Sequence, residues 1–280
     1  DYQFGVVKPK FVLLLGNVPC QAVLNLKGIK DLRGKPLEVD GVTYLPTYHP
    51  AFALRDARNL PALEADIALL RTLVDHGGIP EDEDFKPIRV MDRATFKAML
   101  EDLHGTVAFD IETSCLCPWR FHSYKKNNPY DKPVLTAIGF ATKRAQWSVP
   151  FHHYDTKPFS DDELDDMVDQ ITERLEDCSL VAHNGKFDLL WMKVKYGVDW
   201  KLDFDTMLAH YLVDENQRHG LKLLAQVYFG AVDYDLDPIT ADWYTLSEYH
   251  CKDLMYTRKL RFLLGKRLAK DPAILDVFDH

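Results

Sequence analysis

The sequence has no apolar run long enough to cross a bilayer, and no secretory signal opens it. Its five cysteines are odd in number and include no Cys-x-x-Cys pair, which argues against a disulfide framework and against a structural zinc site. These absences predict a soluble, cytosolic protein with reduced thiols. General disorder is excluded, because 46% of the 280 residues are hydrophobic and 12% are aromatic.

Basic residues are fewer than acidic ones, 34 against 43, so the formal net charge is -9. This balance disfavours a nucleic-acid partner only if the charge is evenly spread. Residues 160–177 hold nine acids and one base, and their apolar positions at helical spacing predict a surface helix with a solvated acidic face. Residues 246–270, by contrast, carry seven bases and two acids, so a polyanionic partner is compatible with the sequence.

Residues 106–113 (TVAFDIET) are the stretch around which the chain is organised. Large apolar residues such as Phe109 and Ile111 alternate with Asp110 and Glu112, which predicts a buried strand with both carboxylates on one face. Like charges on one face of a buried strand repel each other unless a cation lies between them. The pattern therefore predicts a metal site.

Two later segments offer further oxygen ligands. Residues 181–188 (VAHNGKFD) are an apolar run, a polar turn and the start of a helix, with Asp188 in its first turn. In residues 249–253 (YHCKD), a spacing of four places Tyr249 and Asp253 on one face of a helix. Taken singly, these residues can also be a helix-dipole acid, a core aromatic and a surface acid.

The order of these motifs resembles the DEDD superfamily of 3′-5′ exonucleases. Asp-x-Glu on a strand is followed by Asn-x-x-x-Asp opening a helix and by Tyr-x-x-x-Asp within a helix. The resemblance is to the tyrosine subtype, DEDDy. The histidine subtype would place histidine five residues before Asp253, where Glu248 stands.

Two intervening segments narrow the resemblance. Residues 205–211 (DTMLAHY) and 220–224 (GLKLL) are similar to the proofreading domain of family A, polymerase I-like DNA polymerases. The resemblance covers roughly residues 88–280. It implies an α/β, ribonuclease H-like (DnaQ-like) exonuclease fold with a mixed sheet and a helical C-terminal part.

The resemblance also implies a metal-dependent 3′-5′ exonuclease that hydrolyses single-stranded DNA to nucleoside 5′-monophosphates. Asp110 would bridge two Mg²⁺ ions, with Glu112 and Asp253 completing one ion and Asp188 reaching the other largely through water. Mn²⁺ can replace Mg²⁺ at such an oxygen-rich site. Tyr249 would hydrogen-bond the attacking water and orient it, since a free phenol has a pKa of ~10 and is a poor base at neutral pH.

Further roles follow from the same resemblance. Asn184 and Lys186 would contact the substrate near its 3′ end, Thr113 would support the terminal nucleotide, and Leu116 would wedge between the last two bases. Asp205 is expected only to cap a helix. The implied partner is a family A polymerase domain, in cis or in trans and of phage type, in the cytosol of a bacterium or of a phage-infected host.

A second candidate for single-strand binding is the segment of residues 117–132. Aromatic faces stack on bases and cations meet phosphates. The alternative is a loop that packs on its own domain. Aromatic and basic side chains are interleaved in this segment: Trp119, Arg120, Phe121, Tyr124, Lys125, Lys126, Tyr130 and Lys132.

The N-terminal part shows a different resemblance. Residues 8–16 and 46–55 (PTYHPAFALR) are similar to the second half of the uracil-DNA glycosylase superfamily, particularly its His-Pro loop. His49 and Arg55 would then be glycosylase-like remnants. The water-activating loop of that family is absent from these residues, so a structural or DNA-touching role is expected rather than catalysis.

These observations predict three parts along the chain. Residues 1–76 are expected to form a small, partial glycosylase-like α/β segment, and residues 77–87 a linker rich in glycine, proline and charge. Residues 88–280 are expected to form the exonuclease domain.

Two other functions stay open at this point. A ribonuclease D-like RNA exonuclease shares the tyrosine subtype. A non-catalytic DNA-binding module belongs to another class, although the intact carboxylates argue against it. Metal-dependent cleavage separates the enzymes from the binding module, and comparison of DNA with RNA separates the two enzymes.

Overall fold

The computed structural model describes residues 2–79, 82–121, 127–232 and 234–279. Its strands, in chain order, are β1 (Phe11–Leu15), β2 (Leu37–Val39), β3 (Val42–Thr47), β4 (Pro87–Arg89), β5 (Gly105–Thr113), β6 (Leu135–Ala141), β7 (Gln146–Pro150), β8 (Cys178–Ala182) and β9 (Phe204–Asp205). Its helices are α1 (Tyr2–Val7), α2 (Asn17–Leu24), α3 (Ile29–Leu32), α4 (Pro50–Arg55), α5 (Leu60–His76), α6 (Arg93–Asp102), α7 (Asp161–Leu175), α8 (Lys186–Tyr196), α9 (Thr206–Val213), α10 (Leu221–Phe229), α11 (Trp243–Leu268) and α12 (Pro272–Asp279). In these ranges no helix has both the length and the apolar character that crossing a membrane requires.

The chain divides into two compact units. The first unit contains Asp1–Glu81 and Asn216–Tyr234, and the second contains Asp82–Glu215 and Asp235–His280. In the first unit, β3 lies between β1, to which it is parallel, and β2, to which it is antiparallel. The predicted small α/β layer is therefore present, and α5 and α10 pack together beside it.

A buried polar network explains why α10 belongs to the first unit. The Arg33 guanidinium donates to Asp66 at 2.6 and 3.1 Å and to the Gln226 side chain of α10 at 3.0 Å. Thr47 also donates to Asp66, at 2.6 Å. Gly34, at φ 72°, leaves room for Gln226, whose amide nitrogen would lie 2.9 Å from a Cβ there. The charge of Asp66 is thus paired and hydrogen-bonded, as a buried carboxylate requires.

The two compact units divide the chain differently from the predicted boundaries. Residues 216–234, expected in a continuous domain over 88–280, group with the first unit, because Gln226 completes the network around Arg33. Part of the predicted linker over 77–87 belongs to the second unit, in which Asp82 pairs with Lys259 at 2.8 Å. Residues 80–81 lie outside the described residues.

The second unit is built on a six-stranded mixed sheet of order β4-β7-β6-β5-β8-β9. The β5, β6 and β7 strands form the predicted antiparallel start, while β5–β8, β8–β9 and β4–β7 are parallel pairs. One face of β5 supplies Phe109 and Ile111 to the main core, which also takes buried residues from α6, α7 and α8. Helix α11 packs on β5, β6 and β7 at the other face, where Leu254 meets Ala108.

Charge also distinguishes the two faces of α7, the helix predicted from the acidic segment. Ser160 and Glu163 form its capping box, and Met167 and Ile171 lie on its buried side. Asp166 pairs with Arg93 at 2.9 Å on the exposed side. The negative charge of this segment therefore lies mostly on a solvated helix face.

Candidate active site

The two acids of β5 lie on the face of the sheet that α11 covers. Strand alternation places Asp110 and Glu112 opposite the core residues Phe109 and Ile111, as predicted. Glu112 is buried and Asp110 is partly exposed. The pairing register with β6 shifts between Glu112 and Thr113, so the strand is irregular at its functional end.

Helix α11 brings the third motif to these acids. One carboxylate oxygen from each of Asp110, Glu112 and Asp253 can be chosen so that all three lie within 4.8 Å of one another. Such a group of like charges is destabilising without a cation. An oxygen-only donor set suits Mg²⁺ or Mn²⁺ rather than a soft metal ion. The residues present therefore fit the divalent ion that the sequence predicts.

Asp188 lies next to this three-carboxylate group. It is buried in the first turn of α8 and accepts a hydrogen bond, 3.1 Å long, from the backbone N–H of Ile111, the residue between Asp110 and Glu112. Burial, together with the negative charge of Asp205, raises the pKa of Asp188 to about 7, although the Ile111 hydrogen bond lowers it. In the metal-free protein, Asp188 is thus a carboxyl held in an environment that disfavours its charge.

We expect Asp188→Asn to stabilise the metal-free protein at pH 8. An unfolded aspartate has a pKa of ~3.9, so the raised folded pKa gives stability that is complete below pH ~4 and is lost as the pH rises through about 7. Asparagine keeps the acceptor for Ile111 and carries no charge. Melting in chelator should show a higher Tm for the variant at pH 8 and a smaller gain at pH 5. Asp169→Asn, at an exposed acid of α7, is the control; a gain independent of pH would contradict this prediction.

The phenol of Tyr249 is close to the same acids. Burial, followed by the negative charges of Asp253, Glu112 and Asp110, raises the pKa of Tyr249 well above its usual range. In the metal-free protein the phenol therefore keeps its proton at physiological pH. It can donate or accept a hydrogen bond beside the carboxylates, but it cannot serve as a base.

The turn before α8 holds two of the predicted substrate contacts. Asn184 has a left-handed φ of 62°, which asparagine adopts more readily than most residues, and both Asn184 and Lys186 are exposed. The backbone N–H groups of Asn184 and Gly185 donate to Asp205 at 3.1 and 2.9 Å. Asp205 also caps α9 through Met207 at 2.8 Å. The prediction that Asp205 only caps a helix is wrong, because its carboxylate also holds this turn.

The remaining predicted substrate residues follow β5. The Thr113 hydroxyl donates to the carbonyl oxygen of Cys115 at 2.9 Å, so this hydroxyl shapes the end of the strand. Leu116 is 68% exposed, so its side chain is accessible to a ligand. Their roles toward a substrate stay predictions.

The structure describes only part of the aromatic and basic segment of residues 117–132. Residues 122–126, which include Tyr124, Lys125 and Lys126, lie outside the described residues. Phe121 packs against the main core and the Tyr130 ring packs on Tyr154, whereas Trp119 is 66% exposed. Two of the four aromatics thus pack on their own unit, and Trp119 is available for stacking.

The glycosylase-like residues belong to the first unit. His49 caps α4, since its Nδ1 accepts a hydrogen bond from the N–H of Ala51 at 3.1 Å. It is exposed at a cavity of about 470 Å³ that Tyr48 and Phe52 also line. Arg55 ends α4 and is exposed. Capping accounts for the position of His49, and a remnant role for either residue stays a prediction.

Sequence reasoning missed His250, which is wholly buried between α11 and the sheet. Its ring nitrogens lie 2.9 Å from the Ser148 hydroxyl and 3.1 Å from the carbonyl oxygen of Asp110. A signal was present: Leu246, His250 and Leu254 recur every four residues and form one buried stripe. A histidine in an apolar stripe indicates a buried polar contact, although it does not identify the partner.

Comparison with known proteins finds a matching nuclease family and relatives among DNA polymerases. The family model described as a 3′-5′ exonuclease, of the DNA polymerase A family, matches residues 87–261. The chain is 27% identical over 262 residues to a DNA polymerase of Escherichia phage T5, covering 88% of this chain and 28% of that protein. It is 23% identical over 243 residues to a DNA polymerase of Bacillus phage SP01, covering 79% and 26%. The chain thus spans about a quarter of the length of these relatives.

Among solved structures, Escherichia coli RNase D superposes with a TM-score of 0.50 at 16% identity, covering 69% of this chain and 48% of that one. RNase D is described as an exoribonuclease involved in structured RNA processing. At this identity the likeness concerns the fold alone. It confirms the predicted ribonuclease H-like fold with a mixed sheet. By the family model, the chain belongs to the 3′-5′ exonuclease family of family A DNA polymerases.

Proposed function

We propose that this chain is a divalent-metal-dependent exonuclease that removes nucleotides from the 3′ end of single-stranded DNA. The observation that carries the proposal is the group formed by Asp110, Glu112 and Asp253, with oxygens within 4.8 Å of one another, in a chain of the exonuclease family. The products would be nucleoside 5′-monophosphates. Because the curated relatives are phage polymerases several times longer, we further propose proofreading beside a family A polymerase domain, in cis or in trans, in the bacterial or infected-host cytosol.

The carboxylates are proposed to have different roles in metal binding. Asp110, Glu112 and Asp253 would coordinate divalent ions directly, and Asp188, which Ile111 holds beside them, would contribute from the α8 side. Two bound Mg²⁺ ions would supply activation of the attacking water and charge stabilisation at the leaving oxygen. Mn²⁺ can take the same oxygen donors.

The chain's other residues position the reactants. The Tyr249 phenol would hydrogen-bond the attacking water and aim it, since a phenol with a pKa of ~10 is a poor base at neutral pH. Asn184 and Lys186 are exposed at the turn that Asp205 holds, where they can meet the terminal nucleotide. Leu116 has the exposure that a wedge between the last two bases needs, and Thr113 would support the terminal nucleotide.

A cleavage assay tests the proposal directly. DNA and RNA strands of one sequence, labelled at the 5′ end, are incubated with the protein in Mg²⁺, in Mn²⁺ and in chelator. We expect metal-dependent shortening of DNA from its 3′ end, with mononucleotide products. A preference for RNA would favour the ribonuclease D-like function, and binding of DNA without cleavage would favour the non-catalytic module.

Tyr249→Phe is expected to slow turnover about ten- to a hundredfold while metal binding is kept. The substitution removes one oriented hydrogen bond, worth on the order of 1.5 to 3 kcal/mol when the partner is charged. Turnover on the labelled DNA and Mn²⁺ titration measure the two effects. Tyr244→Phe, at an exposed tyrosine of α11, is the matched control. Full activity of Tyr249→Phe, or loss of its metal binding, would contradict the tyrosine's assigned role.

A further inference from the structure

We propose that His250 is a positioning residue that holds the α11 side of the active site, Tyr249 and Asp253, at a set distance from Asp110. The proposal rests on the proposed function for its kinetic consequences. Its structural basis is a row of three residues across the sheet. Asp110 on β5 pairs with Gly139 on β6, and Gly139 pairs with Ser148 on β7.

The imidazole of His250 spans this row. Nδ1 lies 2.9 Å from the Ser148 hydroxyl, and Nε2 lies 3.1 Å from the backbone carbonyl oxygen of Asp110. Nε2 also lies 3.5 Å from the carboxylate oxygen Oδ2 of Asp110. A carbonyl oxygen can only accept, so Nε2 carries the proton. In a neutral ring, Nδ1 then accepts from Ser148, and one tautomer satisfies both contacts. The side chain is wholly buried, so water does not compete for either hydrogen bond.

Gly139 makes this arrangement sterically feasible. A Cβ at residue 139 would lie 2.6 Å from Cε1 of His250 and 2.5 Å from Cδ1 of Leu254. Both distances are too short for any side chain, so only glycine lets the ring approach the middle strand. Asp110 and Ser148 therefore supply the hydrogen-bond partners of the histidine on α11, and Gly139 between them supplies the space for its ring.

The consequence for the site follows from chain connectivity. His250 is adjacent to Tyr249 and three residues from Asp253, while its acceptor is the backbone of Asp110 itself. The carboxylates of Asp110, Glu112 and Asp253 repel one another, which tends to separate α11 from β5. The His250 hydrogen bonds oppose that separation. Catalytic groups must be held to within ~0.5 Å, so even a small shift of α11 would affect both metal binding and turnover.

A matched pair of substitutions separates positioning from simple core packing. In His250→Gln, the side-chain amide nitrogen takes the place of Nε2 and can still donate to the Asp110 carbonyl. In His250→Asn, the shorter side chain can reach Ser148 but not Asp110. Loss of a side chain that orients a metal ligand typically lowers metal affinity or activity ten- to a hundredfold. We expect His250→Asn to weaken Mn²⁺ binding about tenfold and to lower kcat about thirtyfold with KM for DNA little changed, and His250→Gln to recover most of both.

Leu260→Ala controls for lost stability, because Leu260 is fully buried on α11 beyond the site. It should lower the Tm without changing Mn²⁺ affinity. If His250→Asn behaves like Leu260→Ala, or if His250→Gln is as impaired as His250→Asn, the positioning role is wrong. Should His250→Asn fail to fold, Ser148→Ala carries the test. It frees Nδ1 and should weaken Mn²⁺ binding about threefold, and unchanged affinity would overturn the proposal.

Mn²⁺ affinity, measured by electron paramagnetic resonance without substrate, also distinguishes failure of the positioning role from failure of the proposed exonuclease function. If the parent protein binds Mn²⁺ but cleaves no strand, the exonuclease function fails. The comparison of His250→Asn with His250→Gln in Mn²⁺ affinity still decides the positioning role. If cleavage is normal and the affinities of both variants match the parent, only the positioning role fails.

Discussion

Asp110→Ala and Glu112→Ala are each expected to lower exonuclease turnover by about a thousandfold or more while leaving the fold intact. Each removes one of three carboxylates whose oxygens lie within 4.8 Å of one another, so the site loses a ligand that no neighbour replaces. The contact of His250 Nε2 with the backbone carbonyl of residue 110, at 3.1 Å, survives the substitution, although Asp110→Ala also removes the carboxylate oxygen that lies 3.5 Å from Nε2. The expected loss therefore comes from the missing carboxylate and not from a displaced helix.

The same variants are expected to hold or gain stability in chelator. Without metal the three carboxylates repel one another, and removing one relieves that repulsion. Turnover in Mg²⁺ and melting in chelator should therefore move in opposite directions, which general destabilisation cannot produce. Glu173→Ala, at an exposed acid of α7, controls for a change in net charge. Near-normal turnover in either site variant would refute the site assignment.

Asp66→Ala is expected to destabilise the first unit by about 3 to 5 kcal/mol. The carboxylate is 1% exposed and pairs with the buried guanidinium of Arg33 at 2.6 Å. Removing one partner of such a pair leaves the other charge buried without compensation, which costs more than the pair itself contributes. Thr47 also loses its acceptor.

Urea denaturation and amide exchange measure this effect. Because Arg33 donates to Gln226, the amides of α10 should exchange faster in Asp66→Ala than in the parent. Asp75→Ala removes the partner of Arg71 in an exposed pair and should cost less than about 1 kcal/mol. The double variant Arg33→Met with Asp66→Leu should be more stable than Asp66→Ala. If Asp66→Ala lowers the free energy of unfolding only as much as Asp75→Ala does, Asp66 and Arg33 do not behave as a buried ion pair.

Local features of the site could be predicted from the sequence because they follow short periods. The alternation around Asp110 and Glu112 assigns these acids to one face of a strand, and a spacing of four assigns Tyr249 and Asp253 to one face of a helix. Both assignments need only the geometry of one element. The order of the motifs then carried the family resemblance, and the match over residues 87–261 confirms the family.

Contacts between distant elements could not be predicted in this way. The two-residue β9 is too short to show a period, and it exists because β8 offers an edge for pairing. The second role of Asp205 depends on a turn that is 20 residues away along the chain. The contact between His250 and Asp110 spans 140 residues and requires a glycine on a third element. Nothing in the local pattern at these positions identifies the partner.

The assignment of α10 to the first unit has a consequence for dissecting the protein. The polypeptide passes from one unit to the other at three points, after residues 81, 215 and 234. A single cut between residues 79 and 82 therefore divides the first unit between two pieces. The longer piece carries α10, which completes the network around Arg33 in the shorter piece. A fragment that starts at residue 88 would lack α5, on which α10 packs, and would leave Gln226 without Arg33. Any uninterrupted stretch of this chain that contains the whole of one unit also contains residues of the other.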